Sequence, residues 1–333
     1  MIAALDVVGN PSSVHSEGRA AKMLVERARA QVAALVGCKA TQVIFTSSAT
    51  EAAALAVAQK ARHGGVFAAL PTEHDCLGVW SEVTVGSGAT ADAGLVAMSA
   101  ANSETGILGD AGKVVGSTAE HSTICDITQL AGKMPVVYGD VTPSYAILSA
   151  HKLGGPKGVG ALINFTAEDP EPILRGGGQE MNRRSGTENL IGIAGFGAAV
   201  EAAARDVSAG RWDEVAQFRN ILEKTIAAAS DQTIFVGKGS PRLPNTSCIL
   251  TPGWKGETQV MQMDLAGFAI SAGSACSSGK VKASKVLQAM GYDDVEAASA
   301  IRVSLGLETT LEDVQRFAKA WAMKFEKHQM RAA

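Results

Sequence analysis

The segment YAILSAHKLGGPKGVGALINF, residues 145–165, contains two apolar runs on either side of a turn rich in glycine. Short apolar runs bounded by turn residues are typical of buried strands. The turn carries two lysines, and Lys152 directly follows the first run, whereas Lys157 precedes the second. The segment therefore predicts two strands with a lysine at the end of the first, where its side chain can enter a cleft.

Similar short apolar runs occur throughout the first two hundred residues. They are separated by turns or helical patterns, a rhythm that predicts an α/β sheet that is largely parallel. The runs before residue 145 are VIF (43–45), VFAAL (66–70), EVTV (82–85), LVAMS (95–99) and STIC (122–125). Residues 19–36 form a helical pattern with Leu24, Ala28, Val32 and Leu35 on one face, and Gly37 is a suitable helix end.

The pattern changes in the second part of the chain. It is nearly all helical from Glu188 to about Ala229, and then strand-like TSCILT (246–251) and AIRVSLG (300–306) alternate with helices near 257–266, 282–290 and 310–328. This mixture predicts a smaller α+β region. No internal repeat or proline-rich linker separates the two parts.

The composition excludes several classes of protein. A net charge of −3 and a pI of about 6.1 provide no basic surface for nucleic acid. No apolar run reaches the roughly 18 residues of a membrane span, and the N-terminus does not resemble a signal peptide, so we expect a cytoplasmic protein. The five cysteines are scattered and never form a C-x-x-C pair, which argues against a disulfide framework or a zinc site.

The glycine-rich turn could be a nucleotide phosphate loop or could carry a reactive lysine. A phosphate loop of the form G-x-x-x-x-G-K-[ST] is followed by a helix, but Lys157 precedes a strand-like run and is interpreted as a turn residue. Lys152 is preceded by Ser149 and His151, both able to donate to a phosphate oxygen. Partly desolvated lysines form Schiff bases with aldehydes such as pyridoxal phosphate, although an ordinary solvated lysine is the alternative.

A pyridoxal phosphate site also needs an acid for the ring nitrogen, a group over the ring and a phosphate cup. Asp126 ends the run STICD, and Gln129, three residues later, could contact the phenolic oxygen of the ring. His74 in TEHDC could stack on the ring and move protons. Taken alone, such an aspartate is often a turn residue, and such a histidine often lies at the surface.

The stretch TSSATEAAAL, residues 46–55, could supply the phosphate cup. Ser48, Ala49 and Thr50 fall at the start of a helix, where backbone N–H groups and the helix dipole attract an anion. An ordinary capping motif, with Glu51 in the first turn, explains the same residues. The sequence leaves both interpretations open at this point.

Cys276 is the best candidate for a reactive thiol. It lies in SAGSACSSGK, whose serines and glycines indicate an exposed loop, whereas Cys248 in NTSCILT has the apolar neighbours of a buried cysteine. A thiol nucleophile needs access to its substrate, which a loop of this kind provides.

Taken together, these motifs resemble the cysteine desulfurases of the NifS/IscS type, which are pyridoxal phosphate enzymes of fold type I. Ten segments match in the order of that family and cover almost the whole chain: GNPSSVHSEGR, FTSSATEA, EH at 73–74, ANSETG, DITQLAGK, SAHKLGGPKGVGAL, GGGQEMNRRSGTENLIGIAGFGAA, LPNTS, SAGSACSSG and AIRVSLG. Any one segment is a weak match, whereas ten in order are specific.

The resemblance implies a fold and a division into domains. The fold is that of a PLP-dependent transferase of fold type I, α/β, with a mostly parallel seven-stranded sheet in a large domain and a small α+β C-terminal domain. The large PLP-binding domain would span residues 1–207, and its first ten or so residues would pack on the small domain. Residues 208–333 would form that small domain and carry the Cys276 loop and Arg302.

The resemblance also implies a role for each candidate residue. Lys152 would bind pyridoxal 5'-phosphate covalently, Asp126 and Gln129 would hold the ring nitrogen and the phenolic oxygen, and His74 would stack on the ring. The remaining expected contacts are the phosphate ligands Ala49, Thr50, Ser149 and His151, Thr187 from the second subunit of a homodimer, and the substrate-binding residues Ser103 and Arg302. Cys276 would be the nucleophile.

The implied reaction converts L-cysteine to L-alanine and leaves a persulfide on Cys276. That sulfur would pass to an acceptor protein, either an iron-sulfur scaffold or a thiolation protein. Alternatives are another lyase of the same fold, such as a selenocysteine lyase, an aminotransferase, or an impaired binding subunit. Ser103 stands where the family has asparagine, only eight residues precede Gly9, and the stretch between His74 and Ser103 is condensed.

Overall fold

The computed structural model describes residues 1–84, 93–109, 122–138, 142–273 and 283–332. The chain forms two compact units. The first contains Met1–Ala101 and Gly109–Ala209, and the second contains Asn102–Leu108 and Gly210–Ala333. The sequence-based division at residue 207 kept the segment 102–108 in the first domain, whereas its contacts place it in the second unit.

The described part of the first unit contains a seven-stranded sheet in the order β1-β7-β6-β5-β4-β2-β3. Neighbouring strands from β3 to β6 run parallel, and β7 lies antiparallel to both β6 and β1. All seven coincide with apolar runs identified in the sequence, so the predicted α/β fold is confirmed. The strands are β1 Val43–Thr46, β2 Phe67–Ala69, β3 Val83–Thr84, β4 Leu95–Ser99, β5 Ser122–Asp126, β6 Tyr145–Ser149 and β7 Gly160–Asn164.

Helices cover both faces of this sheet. Helix Ala49–Val57 packs with Ile44 and other core residues on one face, and Phe45 packs edge-on against Phe196 of helix Leu190–Ser208 on the other. Burial on both faces explains why the strands are continuous apolar runs rather than alternating patterns. The remaining helices in the described residues of the unit are Ile2–Leu5, Ser16–Val36 and Asp75–Gly78, with 3-10 turns at Ala40–Gln42, Ala58–His63, Ala150–Lys152 and Gln179–Asn182.

Helix Ser16–Val36 ends at Gly37, as predicted, because that residue adopts a left-handed conformation with φ of 71°. Its buried face differs slightly from the prediction. Leu24 and Leu35 are only half buried, and the residues buried in their place include Val25 and Val36. The helix turns this face inward because it packs closely against helix Leu190–Ser208.

The second unit is built around an antiparallel sheet with the order β10-β11-β9-β8. Trp321 and Phe325 are stacked in its core, and Trp254 packs against both at a tilt. The predicted α+β character is therefore confirmed, although the two-residue strands β8 and β10 were too short to leave a sequence pattern. Outside residues 274–282, its elements are helices Arg211–Ala229, Gly256–Asp264, Lys285–Ala289, Asp294–Ala298 and Leu311–Ala332 and strands β8 Ile234–Phe235, β9 Thr246–Leu250, β10 Ser271–Ala272 and β11 Ile301–Ser304.

The first residues of the chain, which the resemblance places on the small domain, belong to the first unit. Helix Ile2–Leu5 packs on helix Leu190–Ser208 of the first unit, and residues 4, 5, 7–11 and 187–191 line a shallow cavity of about 410 Å³. Gly195 provides the space for this contact, since a Cβ there would lie 2.6 Å from Cγ of Met1. The N-terminal segment is thus held within the first unit.

Candidate active site

The candidate site of the first unit lies at the edge of the sheet where the parallel strands end. Strands β4, β5 and β6 end at Ser99, Asp126 and Ser149, and the register pairs Ser99 with Asp126 and Asp126 with Ile147. In open α/β sheets, ligands bind outside the carboxyl ends of the strands. The fold therefore brings several sequence-predicted residues to one edge.

Asp126 is the buried carboxylate of this edge, with only 7% of its surface exposed. Its Oδ1 accepts a hydrogen bond of 2.8 Å from the backbone N–H of Thr128. Burial raises the pKa of Asp126, while Thr128 and the charges of His74 and Lys152 oppose that rise. The three predicted residues are therefore close enough to interact electrostatically.

Lys152 lies in the 3-10 turn that follows β6 and is exposed. Lys133, which was not among the residues predicted from the sequence, holds the backbone of Lys152. The Nζ of Lys133 donates to the carbonyl oxygens of Lys152 (3.1 Å) and Gln129 (2.8 Å). Burial, together with the charge of Lys152, lowers the pKa of Lys133 to about 8. Lys133 belongs to the quoted motif DITQLAGK, but its role depends on backbone contacts that the sequence does not reveal.

His74 is fixed at the start of helix Asp75–Gly78. Its Nδ1 accepts a hydrogen bond of 3.1 Å from the backbone N–H of Cys76, so a neutral ring carries its proton on Nε2. The preceding residue, Glu73, is buried and accepts the backbone N–H and the hydroxyl of Ser99. The pair of bonds to Ser99 ties the loop that carries His74 to the end of β4.

The helix Ala49–Val57 begins at the same edge, because β1 runs parallel to β6 across the antiparallel β7. Ser48 caps this helix, and its Oγ accepts the N–H of Glu51 at 3.3 Å. The cap does not use the N–H groups of Ala49 and Thr50, for which the described residues provide no acceptor. Capping and anion binding are therefore compatible here, so the two interpretations of this stretch do not exclude each other.

Strand β7 comes close to this helix start because Gly160 has no side chain. A Cβ at Gly160 would lie 2.6 Å from the carbonyl carbon of Ser48 and 2.9 Å from the nitrogen of Ala49. On the neighbouring strand, the Oγ of Ser149 lies 2.9 Å from Nδ1 of His151. Burial and the charges of two lysines lower the pKa of His151.

These residues fit pyridoxal phosphate. The donor set comprises a buried carboxylate for a ring nitrogen, an exposed lysine beside it, and open helix N–H groups near a hydroxyl and an imidazole for a phosphate. Gln129 is half buried, and Thr187 is exposed on the loop before helix Leu190–Ser208. Lys157 is also exposed and leads into β7 rather than into a helix, as a turn residue should.

The second unit holds Arg302 and Ser103 together. The Nη1 of Arg302 donates to the carbonyl oxygen of Ser103 at 2.9 Å, and its Nη2 donates to the Oγ of Ser271 at 3.3 Å. The contact of Ser103 is made by its backbone, which any residue at this position provides. Replacement of the family asparagine by serine therefore leaves this hydrogen bond in place.

Four of the five cysteines lie in the described residues, and burial raises the thiol pKa of each one. The pKa rises to about 11 for Cys38 and to about 12 for Cys125 and Cys248, and that of Cys76 rises as well. A thiol with a raised pKa is a poor nucleophile at neutral pH. Cys276 falls outside the described residues.

The described parts of the chain contain no group of three or more histidine, cysteine or acidic side chains arranged to hold a metal ion. No helix among them combines the length and the apolar character needed to cross a membrane.

Comparison with known proteins identifies close relatives. A family model for aminotransferase class-V matches residues 4–92 and 84–317. A cysteine desulfurase from Frankia sp. (strain EuIK1) is 37% identical over 93% of this chain and 83% of its own length. A cysteine desulfurase from Klebsiella pneumoniae is 34% identical over 93% of this chain and 84% of its own.

The fold is shared with a solved relative. The structure of a NifS-like protein from Rickettsia africae ESF-5 superposes with a TM-score of 0.87 at 30% sequence identity, covering 98% of this chain and 94% of the other. Its likeness extends through both units and supports the fold type I architecture expected from the motifs. The chain belongs to the aminotransferase class-V family of pyridoxal phosphate enzymes and, within it, to the cysteine desulfurases.

Proposed function

We propose that this protein converts L-cysteine to L-alanine and transfers the sulfur to Cys276 as a persulfide. The observation that carries the proposal is the convergence of Lys152, Asp126 and His74 at one edge of the sheet, beside the open start of helix Ala49–Val57. The names of the relatives favour desulfuration over another lyase or an aminotransferase.

The resemblance to the cysteine desulfurases assigns the residues that would hold pyridoxal phosphate, and the positions of Lys152, Asp126 and Ser149 at this edge support that assignment. Lys152 would bind it covalently, Asp126 would accept the N–H of its ring nitrogen, and His74 would lie over the ring, with Gln129 near the phenolic oxygen. The phosphate would be bound by Ala49, Thr50, Ser149 and His151, and by Thr187 of a second copy in a homodimer. When bound, the cofactor supplies an electron sink that makes the Cα–H bond of an amino acid acidic.

The chain's own groups would carry out the remaining steps. The Nζ of Lys152 takes the proton from Cα of the substrate. The planar guanidinium of Arg302 has five N–H groups, and the hydrogen bonds to Ser103 and Ser271 use only two of them. The other N–H groups are available to bind the substrate carboxylate. Asp126 stays ionised against the positive ring nitrogen, because an opposite charge stabilises the carboxylate.

Sulfur transfer would use Cys276. Its thiolate attacks the substrate sulfur and forms an S–S bond, while the C–S bond breaks and its electron pair stays with the carbon fragment. Protonation of that fragment yields alanine, and the persulfide sulfur passes to an acceptor protein such as an iron-sulfur scaffold or a thiolation protein. We further propose that the protein acts in the cytoplasm.

Two lysines of one turn provide a matched test. After incubation with pyridoxal phosphate, the wild-type protein and Lys157→Ala should show the visible absorption band of the bound cofactor. Lys152→Ala should lack that band and lose roughly 100-fold or more in alanine formation, because it loses both the covalent bond and the base. A protein that stays colourless with the cofactor would contradict the proposed function, as would a Lys152→Ala variant that retains turnover.

A further inference from the structure

A carboxylate occupies the start of the helix that would bind the cofactor phosphate. Glu51 lies in the first turn of helix Ala49–Val57, and its Oε2 accepts the backbone N–H of Ser47 at 2.7 Å. Its side chain is only 13% exposed. An unneutralised negative charge at this point would repel an anion bound to the N–H groups of Ala49 and Thr50.

Arg184 neutralises this carboxylate with two hydrogen bonds. Its Nε donates to Oε1 of Glu51 at 2.7 Å and its Nη2 donates to Oε2 at 3.1 Å, a bidentate arrangement with the arginine 21% exposed. Although burial raises the pKa of Glu51, the hydrogen bonds from Arg184 and Ser47 bring it below its ordinary value. Glu51 is therefore ionised at neutral pH and depends on Arg184 for its countercharge.

The other acidic side chains that act on Arg184 do not replace Glu51 as its partner. Glu180 is buried and already bound to Arg29 through bonds of 2.7 and 2.8 Å. Glu188 acts on Arg184 only through its charge. The bidentate bond with Glu51 thus fixes the guanidinium at the helix start.

We infer that Arg184 is a positioning residue for the cofactor phosphate: by neutralising Glu51 it keeps the start of helix Ala49–Val57 receptive to an anion. The inference rests on the proposed function, because it takes the phosphate of pyridoxal phosphate as the anion. A purely mechanical role, in which the pair only ties the loop of Arg184 to the helix, is the competing explanation.

The two explanations predict different patterns in a double-mutant cycle. If Arg184 acts by neutralisation, Arg184→Gln should weaken pyridoxal phosphate binding by about tenfold, because it leaves Glu51 charged and uncompensated beside the phosphate. Glu51→Gln should bind the cofactor at least as tightly as the wild type, and the double variant should regain most of the affinity. A mechanical tie predicts equal losses in both single variants and no recovery.

The experiment measures the Kd of full-length, cofactor-free protein for pyridoxal phosphate and for pyridoxal from the visible absorption band. Pyridoxal has no phosphate, so its Kd should rise less than threefold in Arg184→Gln, whereas the Kd for pyridoxal phosphate should rise about tenfold. Arg205→Gln is the matched control, since it removes the same charge from the exposed Arg205–Glu201 pair and should leave both affinities unchanged. Thermal unfolding of each cofactor-free variant checks that the fold persists.

Equal weakening of both ligands, or equal losses in Arg184→Gln and Glu51→Gln, would overturn the inference while leaving the proposed function intact. A wild-type protein that binds neither ligand would instead overturn the proposed function and the inference with it. If Arg184→Gln weakens pyridoxal phosphate binding and the added Glu51→Gln restores it, the result supports neutralisation and not a mechanical tie.

Discussion

Glu73 is a titrating side chain beside the candidate cofactor site. Its carboxyl group is buried and accepts the backbone N–H of Ser99 at 2.9 Å. Burial raises its pKa from 4.5 to about 7; the bonds from Ser99 oppose the rise and the charge of Asp126 adds to it. Since the neighbouring residue is His74, the protonation of Glu73 affects the loop that carries a proposed catalytic residue.

The raised pKa of Glu73 predicts a pH dependence of stability. The folded protein holds this proton more tightly than the unfolded chain, so its stabilising contribution is complete below pH 4.5 and is lost as the pH rises through 7. Glu73→Gln keeps a neutral side chain that can still accept from the N–H of Ser99. Between pH 4.5 and 8 the wild-type protein should lose about 3 kcal/mol of unfolding free energy relative to this variant.

Urea unfolding of both cofactor-free proteins across that range measures the difference. Asp126 titrates in both proteins, so most of its contribution cancels in the comparison. Parallel curves of unfolding free energy against pH would show that Glu73 does not hold its proton in the folded state.

Residue identity at the candidate site could be predicted where a motif fixes it. Asp126 and Lys152 lie at or just after the ends of strands that the apolar runs indicate, whereas His74 was identified from its residue type and motif alone. The roles of Lys133 and Arg184 could not be predicted, because they depend on long-range contacts with a backbone carbonyl and with Glu51. The hydrogen bond from Arg302 to the carbonyl of Ser103 spans 199 positions and has no sequence pattern either.

At the scale of elements, the close contact between helices Ser16–Val36 and Leu190–Ser208 depends on one glycine. A Cβ at Gly197 would lie 2.7 Å from Cα of Ala28 and 2.3 Å from Oε1 of Gln31. The obstruction at Ala28 is backbone, which cannot move without shifting a whole helix. This packing also explains why the buried face of helix Ser16–Val36 is shifted slightly from the predicted one, with Val25 and Val36 more buried than Leu24 and Leu35.

Gly197→Ala should therefore destabilise the protein by about 1–3 kcal/mol, although alanine favours a helix more than glycine does. Gly195→Ala in the same helix is the matched control, because its nearest obstruction is the flexible side chain of Met1. The control should lose less stability than Gly197→Ala in chemical unfolding. Equal losses for the two variants would contradict the packing account.

Strand positions were predictable because burial on both faces makes each strand a continuous apolar run. The strands β8 and β10 were not, since two residues are too few for any period to show. Helix ends were predictable where a residue has a special conformation, as at Gly37. The surface on which helix Ile2–Leu5 packs could not be predicted, because an isolated apolar turn is compatible with any apolar surface.

At the scale of the whole molecule, the order of helices and strands along the chain could be predicted from the sequence. Their assignment to the two units could be predicted only in part. The segment 102–108 leaves the first unit between β4 and β5 and joins the second, where Leu108 donates its backbone N–H to Pro241. Short local sequence carries no sign of such an excursion, because it is specified by partners more than a hundred positions away. The same segment supplies the Ser103 carbonyl that holds Arg302.

This chain is proposed to remove sulfur from cysteine and to hold that sulfur on Cys276. The most direct measurement incubates the protein loaded with pyridoxal phosphate with L-cysteine, without a reductant, and compares alanine with sulfur bound to the protein in the first turnover. The wild type and the control Cys38→Ala should give equal amounts of both. Cys276→Ala should retain the cofactor band but accumulate no bound sulfur and lose roughly 100-fold or more in alanine formation. Undiminished alanine and bound sulfur in Cys276→Ala would contradict the claim.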